Sequence, residues 1–272
     1  MDGAKAFASP HKQPTIQMKL RKCGARCSLH LQEIRSIGIN DIAIGATFLL
    51  TMKSSDTTVH SSHLWSMTLC MGCTLMVYVA SMMKGNAMVN PNMQNLAVHV
   101  FLVWFGLLVF HSLRQKDWGG YVEVSTSCRN THLRLDFVIW FIFGIVAIVF
   151  PSKIYTCQVA SSVTLDSAHA HFARLMGIGF ITLAIMSGRA SNFLMEDDKK
   201  AVLLSHGLGC LLLLITMGLN QILTSTFTVW HIAFGMATVF ITLMIDVLGS
   251  DPKQLVRCAR QQLSKLVPVK QD

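Results

Sequence analysis

Apolar residues in this chain are gathered into blocks separated by short polar stretches. Six blocks reach or approach the roughly 20 residues a helix needs to cross a hydrocarbon layer about 30 Å thick. They are residues 63–83, 96–113, 135–151, 171–188, 201–223 and 227–247. A seventh block, residues 37–52, is shorter and carries Asp41. A bilayer offers no partner to open backbone groups, so each block is expected to be helical. The pattern predicts an all-α fold, a polytopic transmembrane helical bundle of six strong spans with segment 37–52 as a seventh. It divides the chain into a basic N-terminal tail over 1–36, the transmembrane bundle over 37–247 and a basic C-terminal tail over 248–272.

Composition agrees with that division. Of the 272 residues, 52% are hydrophobic and only 14% charged, against roughly 25% charged in a soluble domain. A soluble globule, a disordered chain and a collagen are excluded, and the eight cysteines are too scattered for a disulfide scaffold. The formal net charge of +9 on so apolar a chain points to the bilayer and its anionic headgroups as partners, and away from nucleic acid.

Basic residues also orient the spans, because cytoplasmic loops retain Lys and Arg. Arg114, Lys116, Arg129 and Arg134 precede the third strong span, Arg189, Lys199 and Lys200 the fifth, and Lys253, Arg257, Arg260, Lys265 and Lys270 follow the sixth. The intervening segments hold only Lys84 and Lys153. The C-terminus is therefore expected in the cytoplasm. With six spans the N-terminal tail joins it there; a spanning segment 37–52 puts that basic tail on the opposite side. An inverted repeat is the argument for seven. Residues 35–112 laid over 134–219 match Arg35 to Arg134, Gly45 to Gly144, Met71-Gly72 to Met176-Gly177, Lys84 to Arg189 and His99 to His206, an arrangement known in transporters. Chance matching of apolar segments is the alternative.

Residues 1–36 lack the apolar core of a secretory signal. The basic, weakly amphipathic stretch 16–34 reads as a solvated tail in preference to a mitochondrial presequence or a surface-binding helix. An endomembrane or the plasma membrane is thus expected over a mitochondrial one. Cys70 and Cys73 stand one helical turn apart, Cys23 and Cys27 lie in the tail where palmitoylation is an alternative to inertness, and Cys128 and Cys157 fall on opposite sides of the membrane. The glycines 72, 106, 144, 177, 179, 207, 209 and 235 read as positions where helices approach closely.

Ionisable groups inside apolar spans are costly and call for a reason. Here most are histidines, in two layers. His63, His111 and His206 fall toward the cytoplasmic ends, and His99, His171 and His231, with His169 close by, toward the opposite ends. Neutral imidazoles on facing helices are axial ligands for haem iron, and one pair at each side would carry electrons across the membrane. The same groups suit a transition metal or a proton relay, or simply hydrogen bonding at the interface. Arg174 lies inside its span within snorkelling reach of the surface; Asp246 ends the last span and Asp136 opens the third, where a carboxylate at a helix N-terminus is favourable. No phosphate-binding, zinc-protease or nucleophile-elbow motif occurs.

The run Ile139-Trp140-Phe141 through Gly144-Ile145, then Phe150-Pro151 and Tyr155, a polar linker and Arg174-Leu175-x-Gly177, resembles the four-span unit of tumour protein p53-inducible protein 11 over residues 137–247. That resemblance implies a small polytopic membrane protein without known catalytic residues. His206-Gly207, and Phe227-Thr228-x-x-His231 running to Gly235, are similar to the spans of cytochrome b561 proteins, whose six-span cores pair histidines around haem. That likeness implies haem b as cofactor and His99, His111, His206 and His231 as its ligands. The leading reading is a non-enzymatic multi-pass membrane protein acting as a scaffold or through protein partners, further copies of itself included. The alternatives are a haem b electron carrier, which would be a transmembrane oxidoreductase, and a small-solute or ion transporter.

Overall fold

The computed structural model describes residues 13–83, 91–115, 128–159, 167–225 and 227–250. Among these, every extended element is an α-helix: α1 Gln13–Thr51, α2 Thr57–Met83, α3 Pro91–Arg114, α4 Cys128–Val149, α5 Pro151–Gln158, α6 Ser167–Ala190, α7 Glu196–Thr224 and α8 Val229–Ser250. Seven, all but α5, contain a stretch long and apolar enough to cross a membrane. Successive long helices run in opposite directions. The ends of α1, α3, α6 and α8 and the starts of α2, α4 and α7 form the lower end; the other termini form the upper end. Residues 1–12, Lys84, Lys116 and the basic segment 251–272 lie outside the described residues.

The spans extend past the apolar blocks for local reasons. α2 begins at Thr57, six residues before His63, because Ser61 and Ser62 turn their hydroxyls back onto the Thr58 carbonyl at 3.1 and 2.6 Å and so hide their polarity in the helix. At Pro151 the correction runs the other way. α4 stops at Val149, since the residue before a proline is pushed out of the helical region, and Phe150 indeed has φ −120° and ψ 45°. Pro151 instead opens α5.

Segment 37–52, expected as a seventh span, is one of the seven apolar helical stretches but begins earlier: the stretch runs Leu29–Thr51, and the helix continues back to Gln13. The reading of 16–34 as a solvated tail fails for its last turns: Leu29, Gln32 and Glu33 are buried, while Leu31 and Ile34 are exposed. Polar groups that turn inward do not count against a span as they do facing lipid.

Beside an apolar core that includes Trp140, Leu183 and Leu203, the bundle buries many polar groups and exposes many large apolar ones, unlike a soluble protein. Leu113, Ile222 and Trp230 are 81%, 80% and 86% exposed, whereas Asp136, Lys199, His206 and Asp246 are each 0% exposed. Seven apolar helices with this distribution form a bundle compatible with an integral membrane protein. The most extensive packing is of α4 on α6, then α7 on α8 and α1 on α7; α3 lies outermost, against α2. At the α4–α6 crossing the backbones touch. A Cβ on Gly177 would stand 2.8 Å from the Gly144 carbonyl oxygen, and one on Gly144 would stand 2.9 Å from that of Gly177. Gly106 behaves otherwise, with nothing within 4 Å, so it is not a packing glycine.

Polar capping fixes the lower end. Asp56 Oδ1 accepts from the Thr58 N–H and Oδ2 from the Leu194 N–H, both at 2.8 Å, tying the start of α2 to the α6–α7 turn. Arg129 donates to the Gly249 and Ser250 carbonyls and pairs with Glu196, a cation on the C-terminal carbonyls of α8.

Candidate functional site

Two polar clusters lie inside the bundle at different depths, with a cavity between them. The lower one joins four helices. Asp136 on α4 stands two turns from the helix start and is fully buried, so its expected role at a helix N-terminus is corrected. Its Oδ2 accepts from Ser187 Oγ on α6 and from His206 Nδ1 on α7, the latter at 2.7 Å. Ser187 Oγ also lies 3.1 Å from that Nδ1. Asp246, on α8, interacts with Asp136 and accepts from Cys210 Sγ at 3.8 Å. His206 Nε2, Asp136 Oδ1 and Asp246 Oδ1 are buried without a hydrogen-bond partner among the described residues. Two carboxylates and one imidazole in a water-poor core can hold and pass a proton, and removing one partner leaves another buried and uncompensated.

The cavity, open on one side where Phe234 is exposed, occupies the upper half of the bundle among α1, α4, α6, α7 and α8, with a volume of about 210 Å³. Trp140, Phe143, Phe180, Phe227 and Phe234 supply apolar walls. Thr242, one turn above Asp246, and Leu213, three residues past Cys210, bring its lining down to the lower cluster. Trp140 Nε1 and Gln32 Oε1 belong to lining residues and are buried without a hydrogen-bond partner among the described residues. Such groups cost free energy unless something meets them.

Glu33 also lines the cavity and belongs to the upper cluster. Its carboxylate accepts from His169 Nδ1 at 3.0 and 3.1 Å. The His169 ring stacks on His30 with centroids 4.1 Å apart, and Tyr155 stands 5.8 Å from it. Burial first, and then the charge of Glu33, hold the Tyr155 hydroxyl well above the ordinary phenol range.

The histidines singled out in the sequence are dispersed. His206 is in the lower cluster, and His231 lines the cavity beside Phe227, ring centroids 5.1 Å apart. Twenty or so residues of the α7–α8 hairpin lie between these two. His99 and His111 are exposed on α3, and His99 Nδ1 bonds its own helix at Asn95 O, 2.7 Å away. His63 Nε2 meets Thr51 Oγ1 at 2.6 Å, joining α2 to the end of α1. His171 is buried, with Tyr78 edge-on at 4.8 Å. Arg174 is half-buried two turns into α6. The side chains of Cys23, Cys27, Cys128 and Cys157 lie outside the described ones; Cys70, Cys73 and Cys210 are free thiols.

Sequence reasoning missed His30, Gln32, Glu33 and Tyr155. The signal for the first and third was the run His30-Leu31-Gln32-Glu33, whose i, i+3 spacing puts imidazole and carboxylate on one helix face. Tyr155 offered no such pattern.

A family model described as a domain of unknown function, DUF8292, matches residues 13–250, and the chain belongs to that family. No curated protein and no solved structure matches it.

Proposed function

We propose that this protein is a multi-pass integral membrane protein, its C-terminus in the cytoplasm, that works without covalent chemistry by holding a small, largely apolar molecule inside its bundle. The observation that carries this reading is the cavity of about 210 Å³ with unmatched polar atoms of Trp140 and Gln32 in its lining. An apolar cavity of about 150 Å³ is enough for benzene, and drug-sized ligands occupy about 300–1,000 Å³. The space therefore suits a one-ring or short-chain compound. An indole N–H donor and an amide oxygen acceptor would select for one hydroxyl, carbonyl or amine on it.

The lower cluster gives such binding a use. Asp136, His206 and Asp246 lie below the cavity floor, and a proton exchanged there would be sensed one helical turn away at Thr242. Carriage of the bound molecule, linked to protons, is the form of transport these groups support. The basic residues Lys53, Arg114, Arg129, Arg189, Lys199 and Lys200 at the lower end support a cytoplasmic placement of that end.

Indole and p-cresol serve as probes, titrated calorimetrically into the full chain in mild detergent. Saturable one-to-one binding is expected in the wild type. Val239→Phe, which fills the cavity wall, is expected to abolish it. Absence of saturable binding of both probes to monodisperse wild type overturns the reading, as does unchanged affinity in the filled variant.

A further inference from the structure

We propose that His30, Glu33 and His169 form a binding site for a divalent first-row transition-metal ion of the zinc type at the upper end of the bundle. One ligand atom from each residue lies within 4.8 Å of the others. They come from two packed helices. His30 and Glu33 stand one turn apart on α1, and His169 is the third residue of α6. Glu33 and His169 are 4% and 1% exposed, so the donors are held by surrounding packing and not by a mobile loop. His30 is half-buried and gives an ion its way in.

The donor chemistry decides which ion fits. Two imidazole nitrogens and one carboxylate oxygen form the three-ligand set of an open tetrahedral zinc site. Calcium and magnesium demand oxygen ligands and would leave both imidazoles unused. Without an ion, the three groups have the arrangement seen: His169 Nδ1–H donates to Glu33, and His30 stacks on the same ring. An entering ion takes the place of the proton on that nitrogen, which moves to Nε2 of the same ring, so the imidazole stays neutral while the Nδ1 lone pair binds the metal. Tyr155, beside both Glu33 and His169, places a hydroxyl near the ion, as outer partners do in metal sites. The inference does not depend on the cavity being a ligand site. Glu33 belongs to both, but ion and organic probe are measured separately.

The test uses the full chain in detergent, purified through a histidine-free tag, stripped with chelator and titrated with Co²⁺ while the visible d–d bands of a low-symmetry site are followed. One ion per chain, displaced by Zn²⁺, is expected. Glu33→Gln and His169→Asn are each expected to weaken it by about 100-fold or more, beyond the roughly 10–100-fold that loss of an outer partner costs, and His99→Asn and His111→Asn to leave it unchanged. X-ray absorption of the zinc-loaded wild type needs no variant and is expected to show two imidazoles around the ion. No bound ion, binding indifferent to Glu33 and His169, or a zinc shell without two imidazoles overturns the proposal.

Discussion

Asp136 sits where water does not reach, and its stability rests on Ser187 and His206 meeting it. Asp136→Ala leaves His206 and Asp246 without that partner and is expected to cost about 3–5 kcal/mol, seen as a lower denaturation midpoint in detergent. Asp197→Asn, on an exposed residue of α7, is expected to change stability by no more than about 0.5 kcal/mol. Equal midpoints for the two variants would show that the cluster does not hold the helices together. Tyr155 adds a pH dependence. Folding raises the pKa of its hydroxyl through burial and Glu33, so the folded state favours the protonated phenol. Its contribution is full below the ordinary phenol pKa of about 10 and declines as pH rises beyond it. Tyr155→Phe is expected to flatten the alkaline limb of the wild-type stability curve; superimposable curves would refute the assignment. His206 and Asp246 stood out in the sequence as polar residues in apolar spans. Their meeting with Asp136 did not, because it joins positions 70 and more residues apart.

Among elements, α4 and α6 form the closest pair, and the Gly144–Gly177 contact sets their separation. A leucine at 177 has nowhere to go: its Cβ alone would meet Ile148 at 2.8 Å and Ala147 at 3.0 Å. Gly177→Leu is expected to destabilise by about 1–3 kcal/mol or more, measured as loss of thermal midpoint or of monodispersity. Gly106→Leu is expected to cost nothing, since its site is open and leucine is the better helix former. The two glycines look alike in sequence, and only the neighbour across the crossing separates them. α1 carries a similar lesson. Its first membrane turns look too polar to span, yet Gln32 and Glu33 face the bundle while Leu31 and Ile34 face out. At 39 residues it is about 58 Å long, nearly twice the hydrocarbon thickness of about 30 Å, so its basic N-terminal half extends beyond the upper end.

At the scale of the molecule, seven alternating helices, each long and apolar enough to cross a membrane, predict chain ends on opposite sides of a bilayer. Epitope tags at residues 1 and 272, probed by protease in sealed vesicles, are expected to show opposite protection; equal protection would mean that one of the seven helices does not cross. The positive-charge rule left this open, because the basic residues of the N-terminal stretch compete with those of the lower loops.

The sequence by itself determined the helical class, six of the seven spans nearly to their ends, and the presence of costly polar groups within them. Those follow from local chemistry: a run of apolar side chains and an unsatisfied backbone in lipid permit one solution. Only the tertiary structure decided that Leu29–Thr51 has the length of a span, that Asp136, His206 and Asp246 are one cluster, that His30 and Glu33 meet His169, and that a cavity lies between. Each depends on which face of one helix meets another, and the apolar periodicity that reports such faces in soluble proteins is erased when lipid makes the outer face apolar as well.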